Sequence, residues 1–127
     1  MAQAYAYLLH LLSAFIFISV FFGIYTWVTP FDEIALIRQG NTAAAASLAG
    51  SILGFCLTLA SSILHSDSLT MFLIWGSGAM AIQLIAYLIL SRALPQMNEA
   101  IENGNTAMGV LTGTVSLTVG IINAACL

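Results

Sequence analysis

The sequence predicts an all-α integral membrane fold, with four transmembrane helices arranged as a tandem parallel repeat of two-helix units that carry short interfacial amphipathic segments. Three observations lead there. The 127 residues are 61% hydrophobic and 6% charged, with a mean hydropathy of +1.03, whereas a soluble domain carries about 25% charged residues to coat its surface. The charges, at Asp32, Glu33, Arg38, Asp67, Arg92, Glu99 and Glu102, are grouped so that four long stretches carry none. The chain also aligns with itself at a shift of 64 residues, which sets Ile37, Gly40, Asn41, Thr42 and Ala43 against Ile101, Gly104, Asn105, Thr106 and Ala107. Two basic against five acidic residues, a net charge of −3, exclude a nucleic-acid binder, which needs a basic face.

A helix rises about 1.5 Å per residue, so roughly 20 residues cross a hydrocarbon core of about 30 Å. The first span is Tyr7–Val28. It has no basic n-region, and its apolar run exceeds the roughly 7–15 residues of a signal-peptide core, so it is expected to stay attached. Thr42–Leu64, Ser68–Leu90 and Thr106–Leu127 follow. Lipid offers the backbone no partners, and none of these runs alternates polar with apolar residues as a barrel strand does, so each is read as a helix. Residues 1–127 then form a single four-helix membrane domain, with one unit over 7–64 and the other over 68–127. Each unit crosses twice, so both enter the bilayer the same way round, and the pseudo-symmetry axis is expected along the membrane normal. Arg38 and Arg92 lie in the first and third connections, which the positive-inside rule places in the cytoplasm. Both termini and the His65–Ser66–Asp67 turn are then periplasmic.

Each of those two connections reads as a Pro, a short acidic amphipathic segment and a Gly-Asn-Thr-Ala run. Pro30 and Pro95 suit the first turn of a short interfacial helix, with Phe31, Ile34 and Ile37, or Met97 and Ile101, expected to face the membrane. Gly40 and Gly104 suit the left-handed residue that ends such a helix, and Asn41 and Asn105 suit the N-caps of the spans that follow. The alternative for the two Asn positions is that adjacent positive helix ends form a cytoplasmic site for an anion or an acidic side chain. Arg38 and Glu102 occupy matching positions and are expected to face one another across the axis.

Within the spans, Ala46, Gly50 and Gly54, and again Gly109 and Gly113, put small residues at four-residue spacing. Such stripes let helix backbones approach closely where lipid removes the hydrophobic drive for association, and they close a monomer or build an oligomer. Lining a pore is the alternative. No Asp, Glu, Lys or Arg lies inside any span, which argues against a proton-coupled pump with an ionisable relay at depth. The deepest polar side chain is Gln83, read as interhelical glue or as a solute contact; Asn123 and His10 lie nearer the outer face. Cys56 and Cys126 sit at different depths, which disfavours a disulfide. No metal-ligand spacing, phosphate loop, nucleophile elbow or dinucleotide fingerprint is present, so no metal, cofactor or enzymatic activity is expected.

The segments Thr29-Pro30-Phe31-Asp32-Glu33, Asn41-Thr42-Ala43-Ala44, Trp75-Gly76, Ile82-Gln83-Leu84, Asn105-Thr106-Ala107-Met108-Gly109 and Gly120-Ile121-Ile122-Asn123-Ala124-Ala125-Cys126 together resemble the YjfL-like family. That is a bacterial inner-membrane family of unknown function, and the likeness runs from about Phe22 to Cys126. It implies a four-helix protein of the inner membrane, often encoded near a phage-shock-type membrane-remodelling protein and a polyamine-amide ligase-like enzyme. It supplies no mechanism, only positions to test: Glu33, Asn41, Gln83, Asn105 and Asn123. Gly50, Gly54, Gly109 and Gly113 join them as packing positions.

Two function classes follow. The first is an oligomeric membrane scaffold, a homo-oligomer in the lipid bilayer whose acidic cytoplasmic connections, with Glu33, Glu99 and Glu102, recruit a soluble envelope-stress partner such as a phage-shock-type protein. The second is a channel or transporter for a small solute or ion, lined by Gln83, Asn123 and the Ser and Thr residues of the second and fourth spans; an uncharged polar path conducts without titratable groups.

Overall fold

A computed structural model describes residues 1–127 as six helices and no strand: α1 (Ala2–Val28), α2 (Glu33–Arg38), α3 (Thr42–His65), α4 (Leu69–Ala93), α5 (Met97–Glu102) and α6 (Thr106–Cys126). The helices α1, α3, α4 and α6 are each long and apolar enough to cross a membrane. Compared with the sequence reading, α1 starts five residues earlier and α4 continues past Arg92 to Ala93. An apolar span does not end where hydrocarbon ends, because the helix stops only where a residue breaks the hydrogen-bond ladder.

The two prolines supply that break. Pro30 and Pro95 stand in the elbows ahead of the N-cap residues Asp32 and Gln96, not in the first turns of α2 and α5. Proline crowds the residue before it out of the helical region. Thr29 is accordingly extended at φ −70° and ψ 141°, and Leu94 leaves the helix at φ −122° and ψ 82°. Of the two helices that follow, α2 has a side-chain cap, Asp32 accepting from Ala35 N at 3.2 Å, while Gln96 makes no cap bond for α5; Ser68 caps α4 by accepting from Met71 N at 3.2 Å.

The central element is α3, which packs against α1, α2, α4, α5 and α6. Its main partner is α6, and the two run parallel. Ala43 lies against Gly109, Gly50 against Gly113, and Gly54 against Gly120. At each of those glycines a methyl group would run into the backbone of the facing helix. At Gly54 it would come within 2.6 Å of the Ser116 carbonyl oxygen. Close backbone approach is how helices gain van der Waals contact in lipid, where an apolar side chain gains nothing by leaving hydrocarbon for hydrocarbon. Hydroxyls reinforce the seam: Thr58 Oγ1 donates to the Gly120 carbonyl at 3.1 Å, and Ser61 Oγ to the Ala124 carbonyl at 2.6 Å. Gly120 belongs to this seam, although its distance from Gly113 breaks the four-residue spacing that marks the other positions.

The outermost span is α1. Only Phe21 and Tyr25 of α1 are buried, and aromatic contacts fasten it. Phe21 meets Phe55 at 4.7 Å between ring centres, Phe17 sets its edge against Phe72 at 5.6 Å, and Tyr25 against Tyr87 at 5.2 Å. Such pairs contribute about 0.5–1.5 kcal/mol each beyond their area.

The short helices lie only in part as the amphipathic reading expects. Met97 and Ile101 of α5 are buried in the core at 0% and 1% exposure rather than facing the membrane. In α2, Ile34 is exposed, in keeping with that reading, while Glu33 points inward. The reason is packing: α2 rests on α3, and α5 on α3 and α6, so the face of each that meets the bundle is set by the bundle and not by lipid.

Gly50→Ala should destabilise the protein by about 1–3 kcal/mol, the usual cost of overpacking, because the facing group is backbone and cannot turn aside. Gly78 has nothing within 4 Å of the corresponding position, so Gly78→Ala should be neutral or stabilising by up to about 1 kcal/mol. Reversible unfolding in mixed micelles distinguishes the two.

Candidate functional site

The candidate site lies at the end of the bundle that carries α2 and α5, where two similar junctions meet. In the first, Gly40 takes φ +86° and in the second Gly104 takes φ +85°, a region closed to most side chains. Gly40 N donates to Ile37 O at 3.0 Å and Asn41 N to Leu36 O at 2.9 Å; Gly104 N donates to Ile101 O at 3.0 Å and Asn105 N to Ala100 O at 2.9 Å. These are the paired bonds of a Schellman termination. The same Asn then caps the next span, Asn41 Oδ1 accepting from Ala44 N at 3.0 Å and Asn105 Oδ1 from Met108 N at 3.2 Å. One residue closes a helix and opens the next, so the turn has no spare length and the entry angle of α3 and α6 is fixed.

The junctions differ in what they touch. Asn41 Nδ2 donates across to the carbonyls of Ile101 at 2.9 Å and Glu102 at 3.3 Å, satisfying the last turn of α5. Asn105 is exposed and makes no such bridge. Each helix end is thus filled by its own Asn, and the shared anion site finds no support in this geometry. Glu102 is likewise joined to the other junction through its backbone rather than by a carboxylate pair with Arg38.

Glu33 is the outlier of this end. The first residue of α2, it is 2% exposed, and neither carboxylate oxygen has a hydrogen-bond partner. The nearby Thr29 hydroxyl is committed to the Thr26 carbonyl at 3.1 Å and the Phe31 carbonyl at 3.5 Å. Burial pushes the carboxyl above its ordinary value of 4.5, with smaller opposing pulls from the Thr29 hydroxyl and its own N–H, and the adjacent Asp32 adds to the rise. Expected on an exposed acidic face, Glu33 is instead withdrawn from it, which leaves Glu99 and Glu102 as the exposed carboxylates of this end besides Asp32. Around it, Tyr25 OH lies 3.4 Å from Ser47 Oγ, Ser51 Oγ is buried without a partner, and Tyr87 OH donates to Asn98 Oδ1 at 2.8 Å while Asn98 Nδ2 donates to Ser91 Oγ at 3.1 Å. Sequence reasoning did not single out Tyr25, Tyr87 or Asn98, because a tyrosine near the end of an apolar run reads as an interface anchor.

The other sequence-selected positions lie elsewhere. Gln83, buried at mid-span, donates from Nε2 to the Ser116 carbonyl at 2.8 Å, tying α4 to α6, while its Oε1 is unpartnered. Asn123 stands near the opposite end of α6 with Nδ2 unpartnered. Structure therefore joins Glu33, Asn41 and Asn105 at one end and separates them from Gln83 and Asn123. Cys56 and Cys126 are both free thiols.

Four apolar spans, with the charges held in the turns and short helices between them and, for Arg92, in the last turn of α4, define a multi-pass helical membrane protein. The comparisons with known proteins narrow this. The chain belongs to the family described as Domain of Unknown Function (DUF350), whose profile matches residues 1–127. It is 38% identical over 120 residues to the UPF0719 inner membrane protein YjfL of Escherichia coli (strain K12), covering 91% of each chain. It is 30% identical over 108 residues to the UPF0719 transmembrane protein YshE of Bacillus subtilis (strain 168), covering 84% of this chain and 81% of that one. No solved structure matches. The protein is thus a multi-pass inner-membrane member of an uncharacterised family.

The unequal roles of the two caps are measurable. Asn105→Ala should cost about 0.5–2 kcal/mol, the range for a lost N-cap, and Asn105→Asp should cost little. Asn41→Ala should cost about 1 kcal/mol more, since two further hydrogen bonds go with it, and Asn41→Asp should remain destabilised because it keeps the cap and loses the donor. Thermal unfolding of the four variants in one detergent reads the difference.

Proposed function

We propose that the protein is a homo-oligomeric, non-catalytic membrane scaffold that presents an acidic cytoplasmic surface to a soluble partner of the envelope-stress type. One observation carries the reading: three polar side chains at the contact with α6 are spent on holding helices together. Thr58, Ser61 and Gln83 donate to backbone carbonyls of α6, and the α3–α6 contact is backbone against backbone. That leaves no open lane between these two spans. The surface offered to a partner is α5, where Gln96, Glu99, Glu102 and Asn103 are exposed, and the positive-inside rule applied to Arg38 and Arg92 assigns this end to the cytoplasm.

Reconstitution tests the scaffold against the channel reading. Liposomes containing the protein should pass small ions and neutral solutes no faster than empty ones, while the protein in lipid nanodiscs should run as a defined oligomer by light scattering. Neutralising Glu99 and Glu102 should abolish capture of a phage-shock-type partner. Solute flux well above background that disappears in Gln83→Leu would overturn the proposal in favour of a path running between copies, on which Gln83 Oε1 and Asn123 Nδ2 would find their missing partners.

A further inference from the structure

We propose that Glu33 is a proton-binding site at the α1–α2 elbow: the carboxyl carries its proton while α2 is seated on the bundle, and its ionisation releases α2 from that seat. The inference stands on α2 alone and does not depend on the scaffold reading.

Geometry makes the seat one for a neutral group. Glu33 is 2% exposed with both oxygens unpartnered, and a buried carboxylate left without hydrogen bonds or a counter-charge is avoided by taking up a proton. The corresponding first residue of α5 is Met97, fully buried at 0% exposure. The two six-residue helices sit ahead of equivalent Gly-Asn turns, so the same kind of seat takes a thioether in one and a carboxyl in the other. A protonated Glu and a Met have similar length and no charge, and either can fill it.

Of the groups that face Glu33, only the Thr29 hydroxyl and the residue's own N–H favour its charge, and burial outweighs both. From α1 and α4 come the phenols of Tyr25 and Tyr87. Asp32, at the N-cap of α2, is a like charge that opposes ionisation. The α3 hydroxyls beside Tyr25, those of Ser47 and Ser51, do not titrate, and Ser47 lies 3.4 Å from Tyr25 OH. Arg38 and Arg92 are exposed and neither acts on Glu33. The elbow beside it, lined by Thr26, Thr29, Pro30 and Asp32, opens to the outside, giving the proton a short route to water.

The sign follows from the raised carboxyl. A group that binds its proton more tightly when seated holds the seat fully below its ordinary value of 4.5, and that contribution is lost as pH climbs through the raised value. Between the two, the ratio of seated to released α2 falls about tenfold per pH unit, the slope of one linked proton. Acidification therefore tightens α2 and alkalinisation frees it, which moves the acidic Asp32–Glu33 pair and the entry to α3 together.

The test uses the full chain in lipid nanodiscs. An infrared titration should show the carbonyl stretch of a protonated carboxylic acid persisting above the ordinary carboxylate range, absent in Glu33→Gln and in Glu33→Met. Backbone hydrogen exchange over residues 33–38, corrected for intrinsic rates at each pH, should rise with pH in the wild type and stay flat in both variants. Glu33→Met copies the α5 seat and keeps the test open if Glu33→Gln fails to fold. A wild-type acid band that vanishes at the ordinary carboxylate value, or an exchange profile that Glu33→Met leaves unchanged, overturns the proposal.

Discussion

Backbone contact between α3 and α6 is the constraint on which the other elements depend. In water, burying apolar side chains would drive two such helices together; in hydrocarbon that drive is absent, and close packing with interhelical hydrogen bonds must hold the pair. Gly50, Gly54, Gly109, Gly113 and Gly120 permit the approach, and the hydroxyls of Thr58 and Ser61 use it by reaching carbonyls of the neighbouring helix. Once α3 and α6 are fixed, α4 is tied to α6 by Gln83, and α1 is laid on the outside through its aromatic face.

The junctions give that seam its register. Because Asn41 and Asn105 each serve as the last partner of a short helix and the cap of a long one, α3 and α6 start at the same level and run in the same direction. Ala43 then meets Gly109, and the small residues that follow fall opposite one another. Asn41 adds a lateral tie by holding the end of α5, so the short helices brace the spans as well as connecting them. A junction of this kind cannot lengthen without shifting one glycine row against the other.

Two polar side chains show how a low-dielectric interior assigns roles. Gln83 is a neutral amide that meets a carbonyl and contributes a tie between helices. Glu33, at the boundary, has no such partner, and its environment answers by favouring the neutral acid. The scaffold reading draws on the first behaviour, spread over several residues of α3 and α4. The proton site draws on the second, and it belongs to one short helix whose position sets how the chain enters α3.

Composition and charge placement by themselves determined the class of fold. With charges excluded from four stretches long enough to cross lipid, helices are the only spans whose backbone groups satisfy themselves. The left-handed glycines and the Asn caps were legible for a related reason: they are local, set by bonds within a few residues, and a Gly-Asn-Thr run has few other readings. What the sequence could not determine is where each residue faces. Glu33 and Met97 occupy the same position in two short helices, and nothing nearby in the chain announces that both turn inward, because the surface that receives them is made by α3 and its neighbours. Gly120 falls outside the four-residue spacing, yet it lies against Gly54, and Tyr25, Tyr87 and Asn98 come together from three separate helices. Only the tertiary structure decides such contacts, because they depend on the rotation of whole helices about their axes, which is fixed by long-range packing against a partner distant in sequence.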